Sequence, residues 1–171
     1  MTDPDSNFDI DSLLPDWSRS VFLVLERNPH WSSAVAAEFR TRLVGTSAVR
    51  GADHELLAGG VTEVDFVSLT ASRDVVARLG TTTVLGIIAV LSDVERDGLV
   101  LLGRLARLSR AVPPVLMLGD ARHRELVPVL YEAGASSVLI DQPTDIHVAE
   151  WCRNVVQLTG RNGGRGNEQD V

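Results

Sequence analysis

Hydrophobic positions along the chain fall into two alternating patterns. Val21–Leu25 (VFLVL) is a short unbroken apolar run, the signature of a strand buried on both faces. After the Asn28-Pro29 break, Trp31, Val35, Phe39 and Leu43 recur every four residues and predict one helical stripe. Val64–Leu69 predicts a second strand and Ser72–Leu79 a short helix. Thr83–Leu91 (TVLGIIAVL), β-branched and uncharged, predicts a third strand. Leu99–Leu108 predicts a helix with Leu101, Leu102, Leu105 and Leu108 inward and Arg104, Arg107 and Arg110 outward. A fourth strand is expected over Pro114–Leu118, a fourth helix over 123–133 and a fifth strand over Ser137–Ile140. A last helix follows, capped by Thr144, with Ile146, Ala149, Cys152 and Val156 as its inner stripe and Gly160 as its glycine stop. Pro128 should shorten or bend the fourth helix.

Five alternations of apolar strand and amphipathic helix predict an α/β fold, doubly wound and flavodoxin-like, with five parallel strands and helices on both faces. Three stretches stand outside it. Residues 1–18 read as an acidic mobile leader, in which Ile10, Leu13, Leu14 and Trp17 fall at helical spacing. Either Trp17 folds back onto the domain, or the segment docks on a partner. Residues 45–61 carry four glycines and no clean period, as an insertion before the second strand or the cover of a short helix at His54–Ala58. Residues 161–171 read as a disordered tail or linker. The domain proper is thus expected over 19–160.

The chain has 171 residues, 16 basic against 23 acidic side chains, and a net charge of −7. All 16 basic residues are arginine, so mechanisms that need a side-chain amine are excluded. The leader holds five aspartates and no arginine, and the tail is neutral, so residues 19–160 carry 14 arginines against 16 acids. A nearly neutral body gives no electrostatic reason to expect nucleic-acid binding. No apolar run approaches the ~18 residues of a membrane span, and acids stand where a signal peptide carries positive charge, which points to a cytoplasmic protein with no membrane partner. A single cysteine, Cys152, excludes an internal disulfide, and on an inward stripe it reads as a structural thiol. His30, His54, His123 and His147 show no i, i+4 pair and suggest no metal site. No Gly-x-Ser-x-Gly motif or other nucleophile–base pattern appears, so no enzyme and no cofactor are expected.

Several stretches resemble the receiver domain of bacterial response regulators. Pro114 to Leu139 (PVLMLGDARHRELVPVLYEAGASSVL) looks like that family's fourth strand, fourth helix and fifth strand, with Gly134-Ala135 closing the helix. Asp97-Gly98 resembles the loop before its third helix, and Val21–Pro29 its first strand with the acidic cluster. The resemblance spans about 20–158 and is weak across 44–82. It implies a phosphoacceptor aspartate, two Mg²⁺-binding acids, a hydroxyl and a lysine around one crevice at the carboxyl ends of the strands.

Those positions are nearly all changed here. The acceptor position falls on Val90, the acidic pair on Glu26 and Arg27, and the hydroxyl on Gly119. The lysine falls on Gln142 counted from Pro143, or on Asp141 counted from Gly134-Ala135, because this stretch is one residue longer than the family pattern. The aromatic switch position falls on Val138. The chain is therefore expected to be a degenerate receiver that cannot be phosphorylated and acts in signalling or gene regulation through protein–protein interaction. Its partners would include a second copy, paired through the fourth helix, fifth strand and fifth helix. Arg104, Arg107, Tyr131 and Trp17 are candidate interaction residues. Arg104, Arg107, Arg110, Arg122 and Arg124 offer a basic strip for an acidic partner or for the leader itself. Two alternatives stand beside this reading. One is a small-molecule sensor whose crevice is enlarged by Gly119. The other is a receiver with a displaced acceptor at Asp93, close to Glu95, Asp97 and Asp120.

Overall fold

The computed structural model describes residues 19–49 and 63–163. Trp17 and the rest of 1–18, the short-helix alternative at His54–Ala58 and residues 164–171 lie outside the described residues. The elements in chain order are β1 (Arg19–Leu25), α1 (Trp31–Val49), β2 (Glu63–Leu69), α2 (Ser72–Arg78), β3 (Thr83–Val90), α3 (Leu91–Leu105), β4 (Val115–Leu118), α4 (Val127–Glu132), β5 (Ser137–Leu139) and α5 (Asp145–Gly163). A 3-10 turn, Ala121–Leu126, precedes α4. The strands form one parallel sheet in the order β2-β1-β3-β4-β5, the doubly wound arrangement expected from the alternation.

Strand side chains alternate between two apolar layers. Val21, Leu23 and Leu25 pack with Val75 of α2, Leu101, Leu102 and Leu105 of α3 and Leu130 of α4. Phe22 and Val24 pack with Val35 and Phe39 of α1 and with Val148, Ala149 and Cys152 of α5. The alternation slips once in β3. Val21 pairs with Val84 but Phe22 with Gly86, so Leu85 is an extra residue that bulges the strand. Gly86 then lies under an aromatic group on the α1–α5 side, where Phe22 stacks on Phe66 at 5.3 Å and meets Trp151 at 6.1 Å. A methyl on Gly86 would stand 2.8 Å from Phe22 Cε1 and 3.0 Å from Trp151, so only hydrogen fits.

The helices depart from the sequence reading in four places. α1 runs to Val49, so the first five residues of the segment read as an insertion, 45–49, continue a helix. α3 begins at Leu91, eight residues before Leu99. Its first turn is set off by a kink at Val94 (φ −137°, ψ 48°) that the apolar period could not register. Pro128 acts as expected: α4 keeps six residues with the proline in its first turn, and the 3-10 turn replaces the rest. α5 passes Gly160 and ends at Gly163, because one glycine in a helix interior costs only about 1 kcal/mol and does not by itself stop the helix. Thr144 does cap α5, its hydroxyl accepting the His147 amide at 3.4 Å. The inner stripe of α5 is Val148, Ala149, Cys152, Val155 and Val156, whereas Ile146, assigned to it from spacing, is 43% exposed. At 3.6 residues per turn Ile146 lies about 120° around the helix from the centre of that stripe, which turns toward Val148 and Val155. No helix among the described residues is long and apolar enough to cross a membrane.

Candidate functional site

Ligand sites in a sheet of this type form where the loops after the strand carboxyl ends diverge. Here those loops follow β1, β3, β4 and β5, and they carry Glu26, Arg27, Val90, Asp93, Glu95, Gly119, Asp120, Asp141 and Gln142.

Glu26 is fully buried, and its carboxylate is spent on the start of α1. Oε2 accepts the Trp31 amide at 2.8 Å and Oε1 the Ser32 amide at 3.2 Å. A carboxylate at this place satisfies two of the four orphan amides of the first turn and favours the positive end of the helix dipole. Its neighbour Arg27 is exposed. Val90, 2% exposed, ends β3 inside the apolar layer with Ile88, Leu116 and Leu118. No polar atom is presented at that place.

The acids after β3 do not converge. Asp93 turns toward the β1–α1 loop, where its Oδ2 accepts the Asn28 amide at 3.0 Å and also the Arg27 amide. Glu95 faces His123, with Oε2 3.6 Å from Nε2. Asp97 accepts the Ser72 hydroxyl of α2 at 3.4 Å. The kink at Val94 separates Asp93 from the other two. The described residues include no group of three or more acids, histidines or cysteines placed to hold a metal ion.

Gly119 follows β4, and the room its missing side chain leaves is taken. A Cβ there would stand 2.7 Å from Ile140 Cδ1 and 3.1 Å from His123 Cβ. The sequence suggested a crevice enlarged by this glycine; instead Ile140 and His123 fill it. His123 is 3% exposed, a residue the sequence reading set aside with the scattered histidines. Its Nδ1 receives the Asp120 amide at 3.2 Å and lies 3.0 Å from Asp120 Oδ1. With Asp120 Oδ1 accepting the Arg122 amide at 3.0 Å, this forms a capping box on the 3-10 turn. The Asp-x-x-His spacing is the signal that could have found it. Arg122 also grips the Asp120 carboxylate at 2.7 Å and, by that hydrogen bond first, holds its pKa down to about 2.

Beyond β5, Arg124 pairs with Asp141. Asp141 and Gln142 both take left-handed backbone conformations (φ 64° and 67°), uncommon for residues with side chains. The stretch that runs one residue longer than the receiver pattern passes through this pair on its way to Pro143. Arg122 and Arg124 are thus each committed to an acid, and the basic strip suggested by the sequence is reduced to the arginines of α3 and the segment after it. Three further sequence candidates lie away from the crevice: Arg104 is exposed on α3, Arg107 is exposed just after it, and Tyr131 is 48% exposed on α4. Val138 is half-buried and packs against the α2–α3 layer.

The described loops are therefore joined in series: β1 to β3 by Asp93, β3 to β4 by Glu95 and His123, and β4 to β5 by Arg124 and Asp141. A groove of about 360 Å³ lies beside this array, lined by Leu139, Gln142, Pro143, His147, Trp151 and Asn154 among others between β5 and α5.

No protein-family model matches the chain, and no curated protein matches it in sequence. Solved structures do match it. An uncharacterized protein from Neptuniibacter caesariensis shares 17% identity at a TM-score of 0.60, over 90% of this chain and 98% of that one. The signal receiver domain of a signal transduction histidine kinase from Syntrophus aciditrophicus shares 18% at 0.54, over 88% and 96%. A response regulator receiver protein from Burkholderia phymatum shares 15% at 0.54, over 80% and 94%. The chain has the CheY-like receiver fold. At these identities the likeness shows the fold alone.

Proposed function

We propose that this receiver-fold domain works in signalling as a phosphorylation-independent interaction module, and that its phosphoryl-transfer crevice is chemically retired. One observation carries the reading: the acceptor position is an apolar, buried Val90, and the acids nearest it, Glu26 and Asp93, are already bonded to backbone amides within the chain. Glu26 caps α1, Asp93 clamps the β1–α1 loop, and Ile140 and His123 occupy the space above Gly119. An isopropyl group cannot form an acyl phosphate, and a Mg²⁺ ion would find its remaining carboxylate engaged by two amides.

The test is incubation of the full chain with acetyl phosphate and Mg²⁺, followed by intact-mass measurement. No phosphoryl adduct is expected. An adduct that disappears in Asp93→Ala would establish the displaced-acceptor alternative and overturn this reading.

The finer assignment is a cytoplasmic adaptor or regulatory domain that pairs with a second copy through α4, β5 and α5, without catalysis of its own. Support comes from that face: Val129, Tyr131 and Ile146 are 52%, 48% and 43% exposed, β5 is an edge strand, and the groove beside α5 borders it. Sedimentation of the wild type against Val129→Asp/Tyr131→Asp tests this, with a shift from dimer to monomer expected.

A further inference from the structure

The amino end of the α2–α3 face carries four arginines: Arg78, Arg104, Arg107 and Arg110. All four are exposed, and among the described residues none of them pairs with a carboxylate. Arg78 and Arg104 close the last turns of α2 and α3, where cations favour the helix dipole. That accounts for each of those two alone, and not for four arginines gathered without an acid. Arg110 Nη1 reaches within 3.9 Å of where a Gly80 side chain would stand, which brings the ends of the two helices together. Apolar surface lies among these charges: Val112 is 39% exposed beyond α3, and Leu99 and Val100 are 37% and 39% exposed on it.

Strand and helix run antiparallel in a parallel βα unit, so α2 and α3 end on the same side of the sheet from which β1 starts. The chain before β1 therefore enters at the arginine-rich end. Residues 1–18 hold Asp3, Asp5, Asp9, Asp11 and Asp16 and no basic side chain, with Ile10, Leu13, Leu14 and Trp17 between and beside them. Ten extended residues span up to about 35 Å, more than the roughly 22 Å of a 15-residue helix. The segment has the reach, the opposite charge and the apolar side chains to cover this surface.

We propose that residues 3–17 dock on the amino end of the α2–α3 face of their own chain. The aspartates pair with Arg78, Arg104, Arg107 and Arg110, and Trp17 with Leu13 or Leu14 covers Val112. The docked segment shields this face, and an acidic partner would have to displace it. The inference does not depend on the state of the crevice.

The experiment uses the full chain labelled with ¹⁵N and follows the Trp17 indole resonance, assigned with Trp17→Phe. In the wild type the resonance is expected away from the position of an unstructured tryptophan, with restricted fast motion by heteronuclear NOE. Both features should be lost in Arg104→Glu/Arg107→Glu and at high salt, where exposed charge pairs are screened. They should return when Asp9→Arg/Asp11→Arg/Asp16→Arg is combined with Arg104→Glu/Arg107→Glu/Arg110→Glu. Unchanged melting of Arg104→Glu/Arg107→Glu shows that the fold is intact. An indole resonance identical in the wild type and that variant overturns the proposal, as does one that moves with protein concentration, which would assign the segment to a second copy.

Discussion

Replacing Glu26 with alanine tests whether the one acid retained at the crevice is a helix cap or a metal ligand. The side chain is fully buried and accepts the Trp31 and Ser32 amides. Its removal leaves two first-turn donors without a partner. A buried donor left unpaired costs about 1–3 kcal/mol, and loss of an N-terminal cap costs about 1 kcal/mol on its own scale. Trp31 is half-buried, so water can reach its amide, whereas Ser32 is buried. Taking the low end for the first and the middle for the second gives about 3 kcal/mol. Relief from burying a carboxylate reduces this to about 2 kcal/mol. For a chain of this length that lowers the melting temperature by roughly 4–8 °C. Glu26→Gln keeps one acceptor oxygen and should lose about half as much. Thermal and urea melts followed by circular dichroism measure both, and hydrogen exchange at Trp31 and Ser32 localises the effect. Two results would refute the argument: Glu26→Ala within about 0.5 kcal/mol of wild type, or Mg²⁺ raising the melting temperature of the wild type but not of Glu26→Ala.

Three further outcomes are expected. Cys152 is buried in the α1–α5 layer and burial pushes its thiol pKa up, so native protein should resist a thiol reagent at pH 8 and react once per chain only after denaturation; fast native labelling would contradict this. Asp120 has its pKa lowered to about 2, chiefly by the Arg122 hydrogen bond. Its contribution to stability is therefore complete above the unfolded value near 4, lost as pH falls toward 2, and should vanish from the acid melting profile of Asp120→Asn. Gly86→Ala should cost about 1–3 kcal/mol by overpacking, with the aromatic contacts of Phe22 and Trp151 disturbed in near-ultraviolet circular dichroism; a neutral effect would mean that the bulge absorbs the methyl.

The sheet was legible because its three inner strands, β1, β3 and β4, are apolar on both faces through most of their length. Val21–Leu25 and Thr83–Leu91 could hardly be anything else once helical stripes separated them. The losses at Val90, Arg27 and Gly119 were equally visible, since each is a change of residue type at a spacing-defined position. What replaced the lost chemistry was not legible. His123 is a lone histidine in the sequence and becomes part of the crevice only because the 3-10 turn folds it back over Gly119. Asp93, Glu95 and Asp97 read as one acidic cluster, but the kink at Val94 sends them to three different neighbours. Ile146 falls three residues before Ala149 and still faces outward, because the buried stripe is centred toward Val148 and Val155, on the other side of Ala149.

The serial ties among the carboxyl-end loops have a kinetic consequence. Loops that each bond to their own strand open one at a time, at rates set by local contacts. Here the Asp93, Glu95–His123 and Arg124–Asp141 links bind four loops into one chain of constraints, so opening any link deprives the next of its anchor. Amide exchange at Asn28 and Asp120 should then report a shared opening event, and Asp93→Ala should quicken exchange at Asp120, which follows the neighbouring strand. Such an edge yields as a unit or not at all, a behaviour suited to a surface that a partner recognises by its fixed shape.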